Sequence, residues 1–220
     1  MQTPDLKIVR KDSFTATPWK NGGGITHEAI RVPATGDPFH WRVSVAHIDA
    51  SGAFSQFAAH DRKMVLLKGE GIELRFADGM KKTLRRVGEL IEFDGAVAAH
   101  CELLDGPCVD LNLMILKSAR AVVRVEHVVE SLELSTAVNE TTLVFPLSGS
   151  ITLAVTTQQS VTLEPWDLAI LSHGVGRLRQ TKSVSPAPWS GTPSSNPSAI
   201  TVFVATLKFV SGEQQTGLGV

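Results

Sequence analysis

Three short segments place hydrogen-bonding and charged side chains two residues apart in otherwise apolar surroundings. Thr26 and Glu28 form one pair, Arg42 and Ser44 a second, Asp110 and Asn112 a third. Side chains two apart on a strand share a face, so each pair presents its polar groups together. Trp41, Val43 and Val45, or Val109, Leu111 and Leu113, then take the opposite side. A guanidinium suits bidentate pairing with a carboxylate. Glu28, Ser44, Asp110 and Asn112 would orient amide or amine groups of a guest and fix the arginine. An ordinary solvated sheet face is the alternative. Asp and Asn are poor strand formers, however, so Asp110 and Asn112 in one apolar strand cost stability that an inward polar lining would explain.

Just before the first pair runs Pro18-Trp19-Lys20-Asn21-Gly22-Gly23-Gly24. Consecutive glycines allow left-handed backbone and close approach, at an entropic cost. With Trp19, Lys20 and Asn21 beside them they read as a ligand-facing turn or as a plain hairpin turn. No Gly-Lys-Ser/Thr closes the run and no helix follows, so it is not a phosphate loop. The histidines contain no His-x-His pair and no carboxylate at metal-site spacing, and no Gly-x-Ser-x-Gly is present. No metal and no other cofactor is expected. An enzyme in which Glu28 or Asp110 serves as a buried base stays open beside the binding reading.

Strands must position these residues. Period-two segments rich in Val, Ile, Thr and Phe, separated by Gly, Asp, Asn, Pro and Ser clusters, run the length of the chain. They include Ile25–Val32, Phe39–Ile48, Lys63–Leu67, Gly71–Phe76, Val109–Leu116, Thr141–Leu147, Ile151–Val155, Leu168–Leu171 and Ile200–Phe209. Sustained helical periodicity is scarce, and Ser131–Ala137 is too short to decide. An all-β sandwich or barrel follows. A weak duplication is visible: Val65–Leu74 resembles Leu143–Leu153, and Leu84–Phe93 resembles Thr162–Leu171. Two units, residues 1–118 and 119–220, are expected, the second carrying a Pro/Ser-rich loop over Ser183–Ala199.

With 220 residues, 43% hydrophobic and 20% charged, the chain can build a real core. A net charge of −1 disfavours a nucleic-acid partner. Apolar runs are strand-length, which argues against a membrane span. Met1–Asp12 lacks the apolar centre of a signal peptide, so a cytoplasmic location is expected. Cys101 and Cys108 are expected as free thiols.

The segments PWKNGGGITHE, WRVSVAHIDASGAFSQF with Asp61-Arg62 after it, LLKGEGIEL, Phe93–Gly95 and Gly106–Met114 closely resemble the HutD/Ves family over residues 15 to 116. The resemblance implies a cupin-type (RmlC-like) double-stranded β-helix with two barrel halves in one chain, a bicupin. It also implies a non-enzymatic modulator of bacterial histidine utilisation, with N-formylglutamate the ligand proposed for some members. The matching positions include Trp19, Lys20, Asn21, Thr26, Glu28, Arg42, Ser44, Phe54, Arg62, Asp110 and Asn112; Arg62 thereby joins Arg42 and Lys20 as a candidate carboxylate-holding residue. The chain departs at Ala58-Ala59, where Pro-Gly is usual, and at His60, where an aromatic is common. His60 and His100 fall near the first and last ligand positions of a metal-dependent cupin, without the remaining ligands. The expected partner is a small carboxylate-bearing metabolite. The alternative is a homodimeric interaction module using the Ser183–Ala199 loop and exposed strand edges.

Overall fold

The computed structural model describes residues 5–156, 159–180 and 199–209, so nearly all of the Ser183–Ala199 loop lies outside the described residues. Among them the chain is almost entirely strand and turn, with one 3-10 turn at Lys11–Ser13 and no α-helix. No helix there is long and apolar enough to cross a membrane.

In chain order the strands begin β1 (Leu6–Val9), β2 (Thr15–Pro18), β3 (Gly24–Val32), β4 (Trp41–Ile48), β5 (Gly52–Ala53) and β6 (His60–Lys68). They continue with β7 (Ile72–Phe76), β8 (Lys81–Leu84), β9 (Leu90–Asp94), β10 (Ala99–Leu103), β11 (Cys108–Leu116) and β12 (Arg120–Val128). The last are β13 (Ser131–Thr136), β14 (Glu140–Pro146), β15 (Ile151–Ala154), β16 (Ser160–Leu163), β17 (Leu168–Leu171), β18 (Gly174–Gln180) and β19 (Ile200–Lys208).

Two compact units divide the chain, one spanning Asp12–Arg120 and the other Ala121–Ser211. Strand β1 belongs to the latter, where Leu6 to Val9 pair antiparallel with Leu171 to Leu168 of β17. In the first unit a six-stranded sheet, β2-β3-β4-β11-β6-β9, accompanies a four-stranded one, β5-β10-β7-β8. In the second, β1-β17-β14-β19-β12 accompanies β13-β18-β15-β16. The neighbours correspond strand for strand: β4-β11-β6-β9 answers β12-β19-β14-β17, and β5-β10-β7-β8 answers β13-β18-β15-β16. The duplicated segments seen in the sequence occupy matching places in this scheme.

Each unit has its own apolar core. Ile48, Met64, Leu66, Ile72, Leu74, Leu84, Phe93, Cys101 and Cys108 cluster in the first. Val144, Ile151, Leu153, Leu163, Ala169, Leu171, Leu178, Val202 and Val204 cluster in the second. Both cysteines are free and buried.

Candidate functional site

Strand β4 carries Ile48 into the first unit's core, so alternation turns Ala46, Ser44 and Arg42 to the same inner face. On β11, Cys108 plays the same part for Asp110, Asn112 and Met114, and on β6, Met64 and Leu66 do so for Arg62. Register then sorts these residues into rows. Asn112 stands between Ser44 on β4 and Met64 on β6, and Ser44 pairs onward with Glu28 on β3. One row further, Met114 stands between Arg42 and Arg62. In the other direction Asp110 lies opposite Ala46 and Leu66, with Thr26 beyond. The inner face is thus apolar at one end and carries two guanidiniums, two carboxyls, an amide and a hydroxyl at the other.

Four of these groups are withdrawn from water. Asp110 is 2% exposed, Asn112 4%, Ser44 1% and Arg62 6%. Among the described residues, Arg42 Nε, Ser44 Oγ, Arg62 Nε, Asp110 Oδ1 and Asn112 Oδ1 are all buried without a hydrogen-bond partner. Leaving such a group unpaired costs roughly 1–3 kcal/mol each, and natural interiors contain few of them. Five on three adjacent strands mark a surface built to meet something.

Aromatic rings frame the guanidiniums. Arg62 Cζ lies 5.0 Å from the Phe93 ring centroid, 5.2 Å from Phe54 and 6.0 Å from Phe57. Arg42 Cζ lies 5.4 Å from Phe57 and 5.8 Å from Phe39. Both positive groups therefore converge on Phe57. Burial is the main cause that lowers the Arg62 pKa, to about 10, with Asp110 opposing and Arg42 adding to the fall. Burial also lowers that of Arg42, against the pull of Glu28, whose Oε2 is 3.9 Å from Arg42 Nε. Burial pushes the Asp110 carboxyl up to about 7 against the pull of Arg62.

The Trp19–Gly24 segment supports this arrangement from the side. Gly22 has φ +70°, the left-handed region, and its N–H donates to the Trp19 carbonyl at 3.0 Å. Asn21 Oδ1 accepts from the Gly23 N–H at 3.0 Å, closing the turn. The Trp19 indole donates to Thr26 Oγ1 at 2.8 Å and meets the Phe54 ring edge-on at 5.9 Å. Trp19 and Thr26 thereby hold Phe54 near Arg62, while Lys20 is exposed in the turn. A Cβ at Gly24 would lie 2.2 Å from the His47 carbonyl oxygen. Gly24→Ala is expected to cost about 2–3 kcal/mol by forcing the β3 backbone away from β4, read as a lower urea midpoint. Unchanged stability would mean that the two strands separate freely there.

Sequence reasoning did not single out Phe39, Phe57 or Phe93, which frame the arginines from separate strands and loops. The one local signal is the Phe54-x-x-Phe57 spacing. His60, which stands where the family commonly has an aromatic, does an aromatic's work: its ring stacks on Phe39 at 3.9 Å, and Nε2 lies 2.7 Å from the Phe39 carbonyl oxygen. His100 sits on the other sheet, opposite Arg75 and Ala53, exposed and lining an open groove with Phe54 and Ser55. Among the described residues no three His, Cys, Asp or Glu side chains gather as a metal site would require.

The second unit offers an internal control. In the strand order β19 answers β11; where β11 turns Asp110 and Asn112 inward, β19 turns Val202 and Val204 into the second unit's core. The same strand face thus carries a carboxylate in one unit and fully buried valines in the other. Further along β19, the Thr206 hydroxyl lies 3.4 Å from that of Thr142. The fold does not demand the polar lining.

The HutD family model matches residues 11–185. An uncharacterized 21.2 kDa protein in the hutC 3′ region of Pseudomonas putida is 38% identical over 110 residues, 50% of this chain and 57% of that protein. The chain spans about half the length of the curated relatives it matches. The crystal structure of the conserved protein PA5104 from Pseudomonas aeruginosa PAO1 superposes with a TM-score of 0.78 at 28% identity, covering 93% of this chain and 99% of that one. The structure of HutD from Pseudomonas fluorescens SBW25 does so with a TM-score of 0.71 at 23% identity, covering 92% and 98%. The all-β fold is cupin-type, as the resemblance implied.

Proposed function

The chain belongs to the HutD family, and on that premise we propose that the polar end of the Asp12–Arg120 unit binds a small carboxylate-bearing metabolite such as N-formylglutamate. In this reading the protein is a cytoplasmic modulator of histidine utilisation that works without a metal. The observation that carries it is the convergence of Arg42 and Arg62 on Phe57, with five unpartnered buried polar atoms, two of them the arginines' own Nε. Two neighbouring guanidiniums in a dehydrated site repel each other, and an anion placed between them reverses the sign of that interaction. Arg42 and Arg62 would take the carboxylate through charge-assisted hydrogen bonds. Ser44, Asp110 and Asn112 would meet an amide or carbonyl. The internal control supports function over architecture, and the hutC-region relative supports the metabolic setting.

Calorimetry with N-formyl-L-glutamate, urocanate and L-glutamate tests the reading. Heat and a saturable isotherm are expected from at least one of them. Folded protein that gives no heat with any would rule out this ligand class.

A second reading, acid–base catalysis on a similar substrate, is favoured by one observation. The Asp110 carboxyl is held near neutrality, the range in which a general base works best. Proton NMR of N-formyl-L-glutamate incubated with the protein separates the two readings. An unchanged spectrum is expected; formate released at a rate that Asp110→Asn abolishes would make the protein an enzyme.

A further inference from the structure

We infer that this site is proton-coupled: a carboxylate guest enters together with one proton from solvent, which settles on Asp110. The inference rests on the proposed carboxylate-binding function and deepens it.

The reason is a charge count in a dry place. The titratable and charged groups facing Asp110 are Arg62 on β6, Cys101 on β10 and Cys108 on its own strand, with Arg42 and Glu28 further along the same face. Arg62 is its one close positive neighbour, and among the described residues the two do not close into an ion pair. Asp110 Oδ1 and Arg62 Nε are instead both left unpartnered. Cys101 offers no relief: burial, with Asp110 adding to it, drives its thiol up to about 12, so it stays neutral. Arg42 is already shared with Glu28.

With Asp110 ionised, the two arginines are balanced by the buried Asp110 and by Glu28, whose side chain is 35% exposed, and the cluster is neutral. A third carboxylate seated among them, such as one of the two that N-formyl-L-glutamate carries, would leave an uncompensated negative charge in a dehydrated interior, which is strongly unfavourable. Taking up one proton resolves this. The Asp110 carboxylate becomes a carboxylic acid, no other bond forms or breaks, and Arg62 is released to the guest. The acid then presents an O–H donor, so the guest's second function on that side is a hydrogen-bond acceptor, such as a formyl or keto oxygen. Burial already holds the carboxyl at about 7 in the free protein, so the proton is taken up at little cost near neutrality.

Two measurements test this. Calorimetry of N-formyl-L-glutamate in buffers of different ionisation heat should show close to one proton taken up per ligand at about pH 8 and almost none at about pH 6. Affinity should fall about tenfold between those values, and Asp110→Asn should bind with no proton uptake and a flat pH profile. Binding with no buffer dependence would overturn the inference while leaving the proposed function standing. Independently of any ligand, a carbon-detected NMR titration of the Asp110 side chain should give a midpoint near neutrality. A midpoint in the ordinary carboxylate range would overturn the inference even if no tested compound binds, an outcome that by itself refutes only the proposed function.

Discussion

Replacing Arg62 by alanine will weaken carboxylate binding by roughly 100- to 1000-fold, equivalent to about 3–4 kcal/mol. The residue is 6% exposed, and its guanidinium lies near three phenylalanine rings and has a buried Nε with no protein partner. A charge so dehydrated gains much from a hydrogen-bonded anion, because little water must be stripped from it at the moment of binding. Arg42→Ala should cost less, about 2 kcal/mol, because its side chain is 17% exposed and already shared with Glu28. Arg62→Lys keeps the charge but loses the planar fork, so it should recover only a minor part of the affinity. Calorimetry on the three variants, with circular dichroism to show that each is folded, gives this ranking. Arg62→Ala binding as tightly as the unaltered protein would remove the site from Arg62 altogether.

How much of this was legible depends on what each residue signals locally. Asp110 and Asn112 were readable because two polar residues at period two inside an apolar strand break a rule of strand composition. Arg42 and Ser44 were readable from the same alternation. Arg62 was not, because His60-Asp61-Arg62-Lys63 looks like a solvated charge run; only the family resemblance pointed to it. That Arg62 is buried while Asp61 stays partly exposed follows from the period-two path of β6 through the core. Of the phenylalanine frame only Phe54 was marked, by the family resemblance; Phe39, the pair Phe54 and Phe57, and Phe93 lie far apart along the chain, so no local pattern joins them. Trp19 and Asn21 stand in a segment that reads as a ligand-facing turn or as a plain hairpin turn, and the structure gives each a local bond: an indole donated to Thr26 and a turn closed on Gly23. Among the strands, the long apolar ones were expected to within a few residues. Lys81–Leu84 and Gly52–Ala53 are charged or very short and carry no period. Strand β1 alternates, but its pairing with β17 is a long-range contact that no local pattern encodes.

The Asp110→Asn protein should be more stable than the unaltered one at about pH 8, by about 4 kcal/mol, and nearly equal to it at about pH 4. The Asp110 carboxyl has an ordinary value of 3.8 and stands at about 7 when folded, raised by burial against the pull of Arg62. Between those values the folded protein holds a proton that the unfolded chain has released. Stability therefore falls as pH rises through this window, and the loss is complete once pH passes about 7. Asparagine mimics the protonated acid in shape and cannot ionise, so the variant has no such slope. Burial beside His27 lowers the His47 value, so His47 contributes the opposite slope, with stability gained as pH rises through its ordinary value of 6.5. Glu89 and Asp94, both lowered, lose stability only in more acid solution. All three act equally in both proteins, so the difference between two urea titrations isolates Asp110. A difference that grows from pH 4 to pH 7 and then levels off is the expected shape. Parallel curves would mean that water reaches the carboxylate, and with it would go the reason for expecting a charged guest. If the growth is seen, the chain keeps at position 110 a group that costs it stability at neutral pH, where the equivalent strand face of the second unit carries valine at no such cost. Selection for folding alone would have placed an apolar side chain in both.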